Sequence, residues 1–148
     1  MTEIVRVAPE ALGEIAALEA LVFAHPWSEQ ALALLCDAER AFGFAALCDG
    51  RVVAYGGMLT VLDEGQITNV ATHPDYRRRG LAERVMEALL AEARQRGLVL
   101  VTLEVRESNA AAIRLYEKCG FATVGRRPRF YTRPTEAAWI MQCDLVDA

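Results

Sequence analysis

Paired cysteines are missing from this chain. Cys36, Cys48, Cys119 and Cys143 are scattered with no Cys-x-x-Cys spacing, and only His25 and His73 offer ring nitrogens. A zinc site is therefore not expected, and the thiols read as reduced and partly buried. No apolar run approaches the roughly 18 residues needed to cross a bilayer, and Met1-Thr2-Glu3-Ile4-Val5-Arg6 has neither the basic start nor the apolar stretch of a secretory signal. No membrane partner is expected, and the cytoplasm is the compartment these absences suggest. A surplus of positive charge is lacking too. The net charge of -4 argues against a general nucleic-acid binder. Linkers, repeats and low-complexity tracts are absent, so residues 1–148 read as one domain around a single core.

What charge there is falls unevenly. Glu3, Glu10, Glu14, Glu19, Glu29, Asp37 and Glu39 face only Arg6 and Arg40 in the first forty residues. A helix face exposed to water explains such acidity, and steering of a basic substrate is the functional alternative.

The hydrophobic pattern alternates between helix and strand periods. Ile4 to Val7 reads as a strand, followed by a helix with Leu12, Ile15, Leu18, Leu21 and Val22 on its apolar stripe, interrupted by Pro26. Ser28 is placed to cap a short helix through Leu32 and Leu35. Phe44 to Cys48 and Arg51 to Val61 flank Asp49-Gly50, a hairpin turn signal, and Gln66 to Thr72 is the next strand. A helix over Leu81 to Arg96 buries Leu81, Val85, Leu89 and Ala93 and ends at Gly97. Leu98 to Arg106 is a strand, Ala110 to Lys118 a helix capped by Ser108 or Asn109 and stopped by Gly120. Phe121 to Gly125 and Ala137 to Leu145 supply the last two strands, joined by the arginine- and proline-rich segment Arg126 to Pro134. The class is α+β around a mixed, mostly antiparallel sheet flanked by helices.

The junction Val70-Ala71-Thr72-His73-Pro74-Asp75-Tyr76-Arg77-Arg78-Arg79-Gly80-Leu81-Ala82 carries the densest chemical signal. A strand turns through a basic loop into a helix, so unsatisfied backbone N–H groups, the positive end of the helix dipole and arginine charge converge where Gly80 admits a bulky anion. It is neither a Walker loop, since no Gly-Lys-Ser/Thr follows, nor the three-glycine dinucleotide fingerprint. A solvated arginine cluster remains the plain alternative.

Three further residues could carry chemistry. Glu104 sits in a strand apolar on both sides, where burial raises a carboxyl pKa toward that of a useful base; the alternative is a structural pair with Arg106 or another arginine. Tyr116 offers a phenol able to protonate a departing thiolate, or is a core tyrosine with its hydroxyl at the surface. Asn109 is a helix cap or a ligand-binding amide.

Taken in order, Arg77-x-x-Gly80-x-Ala82, Leu103-Glu104-Val105-Arg106 and the run Ser108-Asn109-Ala110-Ala111-Ala112-Ile113-Arg114-Leu115-Tyr116-Glu117-Lys118-Cys119-Gly120-Phe121 resemble the GNAT superfamily of N-acetyltransferases. The likeness is dense from Gln66 to Gly125, and Pro26-Trp27-Ser28-Glu29 resembles the substrate-side segment of its RimI-type group, which acetylates an N-terminal ribosomal-protein alanine. The resemblance implies acetyl-CoA as cosubstrate. Val70, Ala71 and Thr72 would meet its acetyl and pantetheine part, Arg78, Arg79, Gly80, Leu81, Ala82 and Glu83 its pyrophosphate, and Asn109 would also bind it. It further implies Glu104 as proton acceptor and Tyr116 as proton donor in a direct transfer, with a backbone N–H near Ala71 polarising the carbonyl. The acceptor would be a protein or peptide N-terminus, with a small amine (amino acid, polyamine or drug) as alternative. A non-catalytic acetyl-CoA-binding module is the reading from another class, and the chain would be a monomer or homodimer. The sequence departs from the family pattern at Arg77 and Ala82, and again at Arg129-Phe130-Tyr131 and Thr135-Glu136-Ala137-Ala138, where a paired tyrosine and an aspartate are usual.

Overall fold

A computed structural model describes residues 2–146; Met1, Asp147 and Ala148, the ends of the span read as one domain, lie outside the described residues. The strands are β1 (Thr2–Arg6), β2 (Ala41–Cys48), β3 (Arg51–Val61), β4 (Glu64–Thr72), β5 (Leu100–Arg106), β6 (Ala122–Tyr131) and β7 (Glu136–Asp144). The helices are α1 (Leu12–Val22), α2 (Glu29–Leu32), α3 (Leu81–Gln95) and α4 (Ala110–Lys118). One seven-stranded sheet runs β1-β2-β3-β4-β5-β7-β6, antiparallel except where β4 meets β5. The Asp49-Gly50 hairpin forms with both residues at positive φ, as a tight primed turn requires.

The single core expected from the composition is two clusters, one on each sheet face. Val85, Met86, Leu89 and Leu90 of α3 join Tyr116 and Phe121 around α4 on one face. Leu12, Ile15 and Leu18 of α1 join Leu32, Leu35 and Tyr55 on the other. Glycines permit the first packing: a Cβ on Gly56 would come within 2.9 Å of Leu89 and Val85 side chains, so α3 could not lie so close to β3 with any other residue there.

Three further expectations need correction. The stripe of α1 includes Glu19, 0% exposed, whereas Leu21 is 57% exposed. The acidic quarter is thus not one solvated face: Glu19 is inside, and Glu14 accepts a hydrogen bond from the Val52 N–H at 3.1 Å. The segment read as a loop, Arg126 to Pro134, is mostly strand, because β6 continues to Tyr131. Pro128 is tolerated there since β6 is an edge strand, and three residues bulge between the pairs Arg127 with Ala138 and Tyr131 with Glu136.

Candidate active site

The only parallel pairing in the sheet is short. Glu64, Gly65 and Gln66 pair with Leu100, Val101 and Thr102, and beyond them the register stops, so β4 and β5 splay and leave a cleft. Along β5, Leu103 and Val105 enter the core beside α3 and α4, which sends Glu104 to the opposite face, toward α1. Two cavities open from the splay, of about 630 and 620 Å³. They share Phe23, Val70, Arg77, Asn109, Ala112 and Tyr116, and so form the two arms of one cleft.

One arm is the basic loop. Gly80 sits at φ 75° and Arg78 at φ 65°, turning the chain so that α3 begins with no side-chain cap. The first bond inside the helix runs from the Arg84 N–H to the Gly80 carbonyl at 3.1 Å, which leaves the N–H groups of Leu81, Ala82 and Glu83 without an intrahelical acceptor. A Cβ on Gly80 would meet no protein atom within 4 Å, so the space it leaves is open. Arg77, Arg78, Gly80, Leu81, Ala82 and Glu83 line this arm with Thr72. The Glu83 side chain is drawn aside by Lys118 at 2.9 Å. Arg79 instead stacks over the Tyr76 ring at 4.9 Å. Arg77, counted from sequence toward the loop's charge but not among the cofactor-binding residues, faces both arms; the triple arginine gave no signal of which one turns outward.

Hydrogen-bond alternation fixes the main chain of β4. His73 N–H bonds to the Val53 carbonyl at 2.8 Å, and the same register pairs Tyr55 with Ala71. In an antiparallel ladder alternate residues face the partner, so Ala71 spends its N–H on β3 while Val70 and Thr72 present theirs to the cleft. The N–H groups that face the cleft near Ala71 are thus those of its neighbours. Asn109 caps α4 through its Oδ1, which accepts from the Ala112 N–H at 3.1 Å, and its amide NH₂ remains for the cleft that it lines.

Tyr116 stands where the arms meet. It is 8% exposed, edge-on to Phe121, and burial followed by the nearby Tyr131 and Cys119 pushes its pKa above the usual tyrosine range. The phenol stays protonated across physiological pH. Burial, followed by the Glu83 and Glu87 charges, likewise pushes the Cys119 thiol up to about 11.

Glu104 lines the other arm half-buried, not enclosed as its strand suggested. Its carboxylate forms no hydrogen bond or ion pair with any described residue, and Arg106, the structural partner considered from sequence, pairs with Glu136 at 3.2 Å. Arg106 also donates to the Thr132 and Pro134 carbonyls and stacks over Tyr131 at 4.5 Å, fixing the β6–β7 hairpin as a wall. Tyr131 faces this arm with its pKa raised to about 12 by burial and then by the Glu104 charge. Glu136 accepts from the Ser108 N–H and from Arg106, which hold its carboxyl below the ordinary range. Across the top, His25 Nε2 and Thr132 Oγ1 lie 3.0 Å apart, joining the segment after α1 to the hairpin. Among the described residues no His, Cys, Asp and Glu cluster could hold a metal, and no helix is long and apolar enough to cross a membrane.

Comparison with known proteins agrees with this geometry. The sequence pattern of the Acetyltransferase (GNAT) family matches residues 12–121. The [ribosomal protein bS18]-alanine N-acetyltransferase of Escherichia coli (strain K12) is 40% identical over 114 residues, covering 77% of this chain and 76% of that protein. Its counterpart from Haemophilus influenzae is 34% identical over 110 residues, 72% and 75% of the two chains. The crystal structure of the ribosomal-protein-S18-alanine N-acetyltransferase from Escherichia coli superposes with a TM-score of 0.90 at 37% identity, over 100% of this chain and 96% of that one. The chain therefore belongs to the acetyltransferase (GNAT) family and is an N-acetyltransferase similar, over most of its length, to the ribosomal-protein alanine N-acetyltransferases.

Proposed function

We propose that the protein transfers the acetyl group of acetyl-CoA to the N-terminal α-amino group of a protein in the cytoplasm, with the alanine of ribosomal protein bS18 as the acceptor that its relatives suggest. The observation that carries the reading is the splayed pair β4 and β5, with an unpaired carboxylate in one arm, an anion-receiving turn in the other and a buried phenol between. The residues present suit acetyl-CoA: three N–H groups without intrahelical acceptors and Arg78 suit a diphosphate, and the free backbone edge at Val70 and Thr72 suits pantetheine. When bound, the thioester supplies an activated acetyl carbon and a thiolate leaving group.

This chain's own residues divide the proton work. Glu104 takes a proton from the substrate ammonium, directly or through water, so that a free amine is present at the carbonyl. The N–H of Val70 or Thr72 stabilises negative charge on the carbonyl oxygen. Tyr116 holds its proton until a thiolate needs it. No covalent enzyme intermediate and no metal are required. Whether acceptors are peptides or small amines is decided by a free-thiol assay with an N-terminal alanine peptide of the cell's own ribosomal protein beside amino acids, polyamines and amine drugs. Thiol release with the peptide alone supports the reading, release with a small amine alone redirects it, and acetyl-CoA binding with no release from any amine makes the protein a binding module.

A further inference from the structure

Glu19 is the one charged residue among those described that is fully buried, and the proton work above does not use it. Enclosing a carboxylate is costly unless donors surround it, and here three do. Its Oε1 accepts from the Trp27 N–H at 2.9 Å, and its Oε2 accepts from Asn69 Nδ2 at 2.8 Å and from the Tyr55 hydroxyl. One side chain of α1 thereby ties the substrate-side segment at Trp27, the centre of β3 and the splayed part of β4.

The consequence lies at Asn69. Ile67 pairs with Met58 and Val70 with Gly56, so Thr68 and Asn69 together oppose Gly57 in a bulge. The bulge turns Asn69 toward α1, the face that also carries Glu104. Because Glu19 Oε2 accepts from Asn69 Nδ2, the Asn69 amide offers its NH₂ to Glu19 and turns its Oδ1 the other way. That oxygen has no hydrogen bond to any described residue and is not sealed from solvent, and Asn69 lines the same arm of the cleft as Glu104.

We propose that Asn69 Oδ1 is a binding group for the acceptor amine, accepting one of its N–H bonds while Glu104 takes the proton, and that Glu19 is the positioning residue that sets the Asn69 amide. This rests on the acetyl-transfer reading above. The ligand class it selects is a primary or secondary amine, which keeps an N–H bond to give after one proton has left.

Three variants test it, each measured for peptide KM and kcat at saturating acetyl-CoA and for acetyl-CoA affinity by calorimetry. Asn69→Ala leaves Glu19 its bonds from Trp27 and Tyr55, and raises the peptide KM by about 10-fold or more, the loss of one hydrogen bond to a charged partner. Glu19→Gln offers one acceptor oxygen to three donors; with that oxygen kept by the Trp27 N–H, its NH₂ opposes that of Asn69 and turns the amide over, with the same increase in KM. The double variant Glu19→Gln with Asn69→Asp exchanges donor and acceptor across the bond, again leaves an oxygen facing the amine, and recovers the KM. In all three, acetyl-CoA affinity stays within about 2-fold, which separates lost substrate binding from lost structure. If Glu19→Gln does not fold, Asn69→Ala decides alone. A peptide KM unmoved by Asn69→Ala, or a loss shared equally with acetyl-CoA affinity, overturns the assignment while leaving the transferase reading intact. A wild-type chain that releases thiol with no amine overturns both.

Discussion

The two arms of the cleft are built in different ways. The arm at the basic loop takes its arginines and its unbonded helix-start N–H groups from one stretch, Thr72 to Glu83, with Phe23 and α4 completing its walls. The arm at Glu104 is assembled from the segment after α1, the bulge of β4, the end of β5 and the β6–β7 hairpin, held together by Glu19, Arg106 and Glu136. On the proposed reading the first arm meets a diphosphate, which is always the same, so a local device suffices, whereas the second meets an acceptor, which varies, and side chains from four places can change independently.

Substitutions should respect that division. The largest effect falls on Glu104→Gln, which lowers kcat by about 10²- to 10⁴-fold while acetyl-CoA binding is kept. Its deficit is greatest at low pH, where the amine is most fully protonated and most needs a base, and shrinks as rising pH supplies free amine; a pH–rate series checks this, and a loss below about 3-fold at every pH removes the assignment. Next comes Tyr116→Phe, with kcat down about 10²-fold. Because burial raises the Tyr116 pKa, the wild-type phenol keeps its proton well above pH 10, and no alkaline fall in rate near the ordinary tyrosine value is expected.

Smaller effects sharpen the contrast. Arg78→Ala weakens acetyl-CoA binding by roughly 10-fold with the peptide KM unchanged, whereas Arg79→Ala, which removes a side chain stacked on Tyr76, has less effect on calorimetric Kd. Comparable losses from both would mean that the loop is a diffuse charge cluster.

The least effect lies far from the cleft. Arg6 at 2.7 Å and Arg96 at 2.9 Å hold the Glu92 carboxyl below its ordinary range. A depressed folded-state pKa gives stability that is present above the unfolded value and is lost as pH falls through the folded one. Glu92→Gln should therefore lower Tm by about 2–4 °C at pH 7, with the difference vanishing in acid; thermal unfolding across pH reads it.

Local signals made the first arm legible in sequence and left most of the second, Glu104 apart, obscure. The helix of Leu81, Val85, Leu89 and Ala93, the Asn109 cap and the Asp49-Gly50 turn form where periodicity and turn chemistry put them. Glu104 and Tyr116 stood out because a carboxylate in an apolar strand and a phenol on a short helix are chemically conspicuous. Glu19 did not, since an acid among acids looks solvated and its three donors lie 8 to 50 residues away. The extension of β6 past Pro128 was hidden for a related reason: being an edge is a property of the sheet, not of the strand.

Acetyl-CoA is proposed to lie along the splayed edge of β4 with its diphosphate on the start of α3. Amide proton and nitrogen NMR shifts on titration with acetyl-CoA test it most directly. The largest changes are expected at Val70, Thr72 and Gly80 to Glu83, saturating together with one dissociation constant. Shifts confined to other surfaces, or none at those amides at saturation, would contradict it.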